Sequence, residues 1–151
     1  MITGQQLING HWVQGEAGQY QAVNPATAAF IEPVMSYASK NQVHQAVAAA
    51  AKAAQVFAAT TLKQRAEFLE LCADEIMALG DVLPERVALE TGYPKARGEG
   101  ERARTVNQLR LFASSIRSGE YLNIRIDTAL PDRQPLPRPD LRYTNQPIGP
   151  V

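Results

Sequence analysis

Cysteine is nearly missing from this chain: Cys72 is the only one in 151 residues. That excludes an intrachain disulfide and any multi-cysteine zinc site, and it suits a reducing compartment. Net charge is missing too, with 15 lysines and arginines against 15 aspartates and glutamates. Without a field of one sign there is no general attraction for nucleic acid or an anionic membrane, so neither is expected as a partner. Long apolar runs are also lacking; the alanine-rich stretch 46–51 is far too short to span a bilayer. The opening residues, MITGQQLING, carry no basic region followed by an apolar one, so no secretory signal is read there. Together these absences point to a cytoplasmic protein. Histidine is limited to His11 and His44, which stand at no metal-ligand spacing with each other or with a carboxylate cluster. Surface histidine is the expectation for both, and no metal site is expected.

What is present is ordinary for a globular chain: 45% of residues are hydrophobic and 20% charged, enough length and apolar content for one domain with a sizeable core. Gln6 to Ile8 and His11 to Val13 flank Asn9-Gly10, a pair that supplies the positive φ angles of a tight hairpin turn. Trp12 is expected to cover a core edge. Residues 21–23 and 30–34 read as short strands separated by a turn at Asn24-Pro25, with Pro33 implying a sheet edge or a bulge.

Four helices follow. Ser39 with Gln42, and Thr61 with Gln64, stand in capping-box spacing. Val43, Val47, Ala50, Ala54 and Phe57 line one side of the first helix; Leu62, Ala66, Leu69, Ala73 and Ile76 line the second. Gly80 ends that helix, Asp81 caps a third with Pro84 in its first turn and Val87 and Leu89 inward, and Gly92 closes it. The fourth runs from Pro94 to Ser118 and stops at Gly119. Its second half carries the apolar stripe Val106, Leu109, Ala113 and Ile116, widened by Leu111 and Phe112. Its first half is glycine and charge.

After Gly119 the pattern changes to alternation. Leu122, Ile124 and Ile126 share one face, and residues 141–146 alternate again. Between them four prolines within 131–139 favour a stiff, extended connection. Residues 121–146 are therefore expected to form two strands of a long arm that must lie on another part of the protein or another subunit. The chain closes on the apolar run 147–151, which predicts a longer polypeptide beyond it.

Chemistry is sparse. Gly98-Glu99-Gly100-Glu101-Arg102-Ala103 matches a loose G-x-G-x-x-A, but no buried strand precedes it as a dinucleotide fingerprint requires. The glycines are better explained by close packing against the helix backbone. Cys72, between Leu71 and Ala73 in a helix, is expected as a buried small hydrophobe and not a nucleophile. Glu67, Glu70, Asp74 and Glu75 read as a solvated acidic face. Gly100, Arg104 and Gln108 share a helix face distinct from the apolar stripe, and that face suits an anionic group; the plainer account of Arg104 is pairing with Glu101 or Glu99. No assembled nucleophile, base, phosphate loop or metal cluster emerges. Taken alone, the residues describe an α+β segment with an arm for association, and no catalytic or cofactor-binding residues.

In order and spacing, Leu7-Ile8-Asn9-Gly10-His11-Trp12, Asn24-Pro25-Ala26-Thr27, the alanine helix, Arg65-Ala66, Leu89-Glu90-Thr91-Gly92 and Pro147-Ile148-Gly149-Pro150-Val151 resemble the N-terminal third of the aldehyde dehydrogenase superfamily. The run from Gly100 to Ala113 is most similar to the α-ketoglutaric semialdehyde (2,5-dioxovalerate) dehydrogenase branch, with long-chain fatty aldehyde dehydrogenases as the competitor. Ala28-Ala29 departs from the family, which often turns through glycine there. The resemblance implies an α/β, three-layer αβα fold of which 1–119 is the first part of the NAD(P)-binding domain. It makes 120–146 an oligomerisation β arm and 147–151 the start of the first dinucleotide-binding strand. It implies oxidation of a small-molecule aldehyde to a carboxylate with NAD or NADP, through a cysteine, a glutamate base and an asparagine that all lie downstream of this chain. It gives Gly100, Arg104 and Gln108 a place in the substrate-tunnel wall. The alternative is a free-standing, non-catalytic assembly or interaction module.

Overall fold

Two capping boxes set where the helical part begins. In the computed structural model, which describes residues 2–150, the Ser39 hydroxyl accepts from the Gln42 amide and the Gln42 side chain accepts from the Ser39 amide; Thr61 and Gln64 repeat the arrangement. Each box satisfies two backbone donors that a helix start leaves orphaned. Helix α1 is thus Lys40–Ala58 and α2 is Leu62–Ala78. Helix α3, Val82–Thr91, ends on Gly92 at φ 72°, and α4, Lys95–Ser118, on Gly119 at φ 71°. Both glycines take the left-handed conformation that a side chain resists.

The strands form three separate two-stranded antiparallel ribbons. Strands β1 (Gln6–Ile8) and β2 (His11–Val13) close through Asn9 and Gly10, at φ 52° and 80°, as the Asn-Gly pair predicts. Strands β3 (Gln19–Val23) and β4 (Phe30–Ser36) pair with a register shift between Tyr20 and Ala22, opposite the segment holding Pro33. Proline cannot donate to a ladder, so the bulge falls where it must. The intervening turn is held by Asn24, whose side chain accepts from the Ala26 amide and whose carbonyl accepts from Ala28.

The core lies between α2 and α4. Ala66, Ala73, Val106 and Ala113 are buried and Leu62, Leu69, Ile76, Leu109 and Ile116 are half-buried around them, so both apolar stripes face each other as their periodicity predicts. Ion pairs Arg117–Glu70 at 2.6 Å and Arg110–Asp74 at 2.9 Å, with the Arg102 guanidinium on the Gly80 carbonyl, run in opposite sequence order and make the pair antiparallel. The acidic side of α2 is therefore not simply a solvated face: Glu70 and Asp74 are tied across to α4. Such long-range pairs depend on the helix register, which α2 alone does not contain.

Several expected burials do not occur. Trp12 is 63% exposed, Leu111 61% and Phe112 53%; Val43, Val47, Phe57 and Leu89 are exposed as well. Helix α1 touches the first hairpin and meets α2 through an edge-on Phe57–Phe68 contact at 5.9 Å, so most of its apolar side is open. Periodicity marks which side of a helix is apolar, not whether this chain covers it. Cys72 is half-buried rather than fully enclosed. Asp81 makes no side-chain cap: its own backbone is helical, and its carboxylate instead pairs with Lys95 at 2.9 Å.

Strands β5 (Arg125–Asp127) and β6 (Leu141–Tyr143) form the arm, shorter than 121–146 predicts. Glu120–Leu122 is a 3-10 turn, and Ile124 and Ile126 are 65% and 56% exposed, so the described residues leave the apolar side of the ribbon open. The proline-rich segment is not an extended connection. It folds back as the tip of the ribbon, closed by Leu130 pairing with Arg138 and by the Arg138 guanidinium on the Thr128 carbonyl at 2.9 Å. Among the described residues, 147–150 pair with no strand, and Val151 lies outside the described residues.

Two substitutions test this packing. Ala28 stands at φ 58°, where a Cβ is strained, so Ala28→Gly should raise stability by about 0.5–1 kcal/mol despite the looser unfolded chain, measured by denaturant unfolding. A Cβ on Gly98 would sit 3.0 Å from Pro84 Cα, so Gly98→Val should cost about 1–3 kcal/mol in the same experiment.

Candidate functional site

Helix α4 turns two unlike sides outward and inward. Gly98, Arg102, Val106, Leu109, Ala113 and Ile116 face α2 and α3. Gly100, Arg104 and Gln108 lie on the opposite side, one turn apart, and are exposed in this chain. The structure thus brings the three predicted residues to one face. The two glycines differ. Gly98 is where α3 and α4 approach backbone to backbone, against Pro84, as the packing explanation requires; Gly100 has nothing within 4 Å of its notional Cβ. Because 98–103 lies inside a continuous helix, the loose G-x-G-x-x-A offers no phosphate-cradling turn.

Charge on the outer face is organised around Glu101. One carboxylate oxygen lies 2.7 Å from Arg97 Nη2 and the other accepts from Arg104 Nε at 3.1 Å. Hydrogen bonding from Arg104, then the Arg97 charge, hold the Glu101 carboxyl below the usual carboxylate range. A carboxylate stabilised in this way keeps its bridges as pH falls toward its ordinary range and loses them only below it. Arg104 remains 74% exposed, so in this chain the bridge sets orientation far more than stability. The predicted pairing of Arg104 with a neighbouring glutamate is found, with Glu101 as the partner. The sequence reasoning missed Arg97, which completes the stripe 97, 101, 104, 108; its position one turn before Glu101 was the available signal.

Near the helix start, Lys95 bridges Asp81 at 2.9 Å and Glu85 at 3.2 Å, and both carboxylates raise its pKa, its hydrogen bond to Asp81 most. Glu70 does the same for Arg117 at the far end. These pairs anchor α4 on α3 and α2 and leave the Arg97–Gln108 face to itself.

A wide concavity lies elsewhere. An open groove of about 1330 Å³ runs between the first hairpin and α1, floored by Ala48, Ala49, Ala53 and Val56 with His11 and Lys52 at its sides. It contains none of Gly100, Arg104 and Gln108 and no cysteine. Buried Gln42 fixes its end, donating to the Gln14 carbonyl at 2.8 Å and accepting from the Glu16 amide at 3.3 Å. Among the described residues, no three His, Cys, Asp or Glu side chains gather as metal ligands, and no helix is long and apolar enough to cross a membrane.

The family model for the aldehyde dehydrogenase family matches residues 12–151. The chain belongs to the aldehyde dehydrogenase family. An α-ketoglutaric semialdehyde dehydrogenase of Azospirillum brasilense is 48% identical over 151 residues, 99% of this chain and 29% of the relative. Another, from Acinetobacter baylyi, is 43% identical over 149 residues, again 99% of this chain and 28% of the relative. The chain therefore spans less than a third of the length of these aldehyde dehydrogenases. A NAD-dependent benzaldehyde dehydrogenase from Corynebacterium glutamicum superposes with a TM-score of 0.75 at 25% identity, covering 85% of this chain and 28% of that one. A betaine aldehyde dehydrogenase from Staphylococcus aureus, solved in complex with NAD+, has a TM-score of 0.75 at 21% identity, covering 87% and 27%. The fold is thus the mixed α/β arrangement of this oxidoreductase family.

Proposed function

We propose that this chain is the N-terminal portion of an NAD(P)-dependent dehydrogenase that oxidises α-ketoglutaric semialdehyde to the dicarboxylate. The observation that carries the proposal is 48% and 43% identity, over essentially the whole chain, to two α-ketoglutaric semialdehyde dehydrogenases. The reaction consumes aldehyde, water and oxidised cofactor and yields carboxylate, reduced cofactor and protons. NAD or NADP, bound by the remainder of the protein, takes up the hydride. The residues that attack the carbonyl and activate water also belong to that remainder, so 1–119 acts as support for the cofactor-binding sheet and 147–151 leads into its first strand.

The chain's own contribution to chemistry is the outer face of α4, which forms part of the substrate-tunnel wall. Gly100 leaves space, Arg104 offers a permanent cation, and Gln108 adds a neutral polar group one turn on. A guanidinium beside a tunnel favours an aldehyde whose far end is a carboxylate, because the charged hydrogen bond has no counterpart in a neutral substrate. The arm 120–146 serves self-association in a cytoplasmic homo-oligomer. Its open ribbon edges and exposed Ile124, Ile126 and Leu141 support that reading, since a two-stranded ribbon is marginal by itself.

Replacing Arg104 with Met in the full-length protein should raise KM for α-ketoglutaric semialdehyde about tenfold or more and leave KM for a neutral aliphatic aldehyde within about twofold, as expected for one charged hydrogen bond. Equal effects on both substrates sink the tunnel assignment. Placing glutamate at Ile124 and Leu141 together should shift the assembly to smaller species by sedimentation at micromolar protein; an unchanged sedimentation coefficient removes the arm from the interface.

A further inference from the structure

An arginine that selects a carboxylate must present the right edge of its guanidinium. Arg104 has two usable edges: the side edge, which includes Nε, and the end formed by Nη1 and Nη2. Glu101 occupies Nε at 3.1 Å, and neither Nη atom of Arg104 hydrogen-bonds to any described residue. Glu101 is held in turn, since its other oxygen lies 2.7 Å from Arg97 Nη2. A carboxylate shared through both oxygens by two arginines, each about one turn away on the same helix, has little freedom to rotate. The side chain of a free arginine samples many rotamers, and fixing it before the ligand arrives removes part of the ordering cost of binding.

We infer that Glu101, backed by Arg97, is a positioning residue that holds Arg104 by its Nε edge and leaves the Nη1/Nη2 end directed to the carboxylate of the aldehyde substrate. This rests on the tunnel-wall reading of Gly100, Arg104 and Gln108. The stripe carries two cations and one anion, so a positive charge remains after the internal pair is formed, and the incoming carboxylate completes it. Glu101 touches Arg104 and not the reacting carbon, so its effect falls on binding of the charged aldehyde and not on turnover.

The test uses three variants of the full-length protein, assayed with α-ketoglutaric semialdehyde and with a neutral aldehyde of the same chain length. Glu101→Ala should raise KM for the semialdehyde about three- to tenfold, with kcat and the neutral-aldehyde KM within about twofold, because Arg104 must then be ordered as the substrate binds. Glu101→Gln should recover a clear part of that loss, since its amide oxygen still accepts from Nε. Arg104→Met separates the two claims. If Arg104→Met raises the semialdehyde KM selectively but Glu101→Ala leaves it unchanged or lowers it, the positioning role is overturned and the tunnel assignment stands. If neither variant changes the ratio of the two KM values, both fall. A Glu101→Ala loss that appears equally with both aldehydes also overturns the positioning role, because it reflects helix structure.

Discussion

Small side chains between α2 and α4 are the constraint on which the rest of this chain depends. Ala66, Ala73 and Ala113 are fully enclosed, and with Val106 they let the two helices approach closely enough for the flanking leucines and isoleucines to interlock. A larger residue at any of these alanines meets packed atoms with nowhere to move. The ionic ties at Glu70 and Asp74 lie outside this seam and are individually weak, but they suit only one antiparallel register. From that seam α4 extends to Pro84 of α3, and α3 reaches the second ribbon through Arg86, whose guanidinium donates to the Glu32 carbonyl and pairs with Glu90. Helix, helix and ribbon are thus linked in series, with one small core and long exposed flanks.

The exposed flanks accord with a chain that spans less than a third of the length of the relatives it matches. Apolar side chains such as Phe30, Val47, Val56 and Leu71 are 71%, 63%, 72% and 61% exposed, far more than a self-contained domain of this length leaves open. The chain spans about 29% of the length of an α-ketoglutaric semialdehyde dehydrogenase that it matches, and on the proposed reading these surfaces meet the remainder of the dehydrogenase.

Legibility in the sequence divided along the same line. Most of what local stereochemistry sets could be read, the Asp81 cap excepted: the Asn9-Gly10 turn, both capping boxes, the glycine stops at 92 and 119, and the facing stripes of α2 and α4. So could the common face of Gly100, Arg104 and Gln108, because helix spacing alone dictates it. Features that need a partner could not be read. Val43, Phe112 and Ile126 carry the apolar pattern of buried residues, but a pattern does not include the surface that covers it. The Glu70 and Asp74 bridges depend on how two helices slide past one another. The fold-back of the proline-rich tip depends on Leu130 and Arg138 pairing through their backbones and on the Arg138 guanidinium reaching across to the Thr128 carbonyl. Arg97 stands one turn before Glu101, a spacing that permits the pair, but its part in the candidate face is fixed only by Glu101 using both oxygens.

The Gly98–Pro84 contact has a consequence beyond packing. Over one or two turns an α-helix behaves as a stiff rod, so fixing its depth against α3 at residue 98 also fixes its rotational phase six residues later, at Arg104. The missing side chain at position 98 thereby works as an angular index mark. On the proposed tunnel-wall reading, a change in the bulk of that one buried position would rotate the whole polar row like the hand of a dial while leaving the residues of the Arg97–Gln108 face themselves untouched.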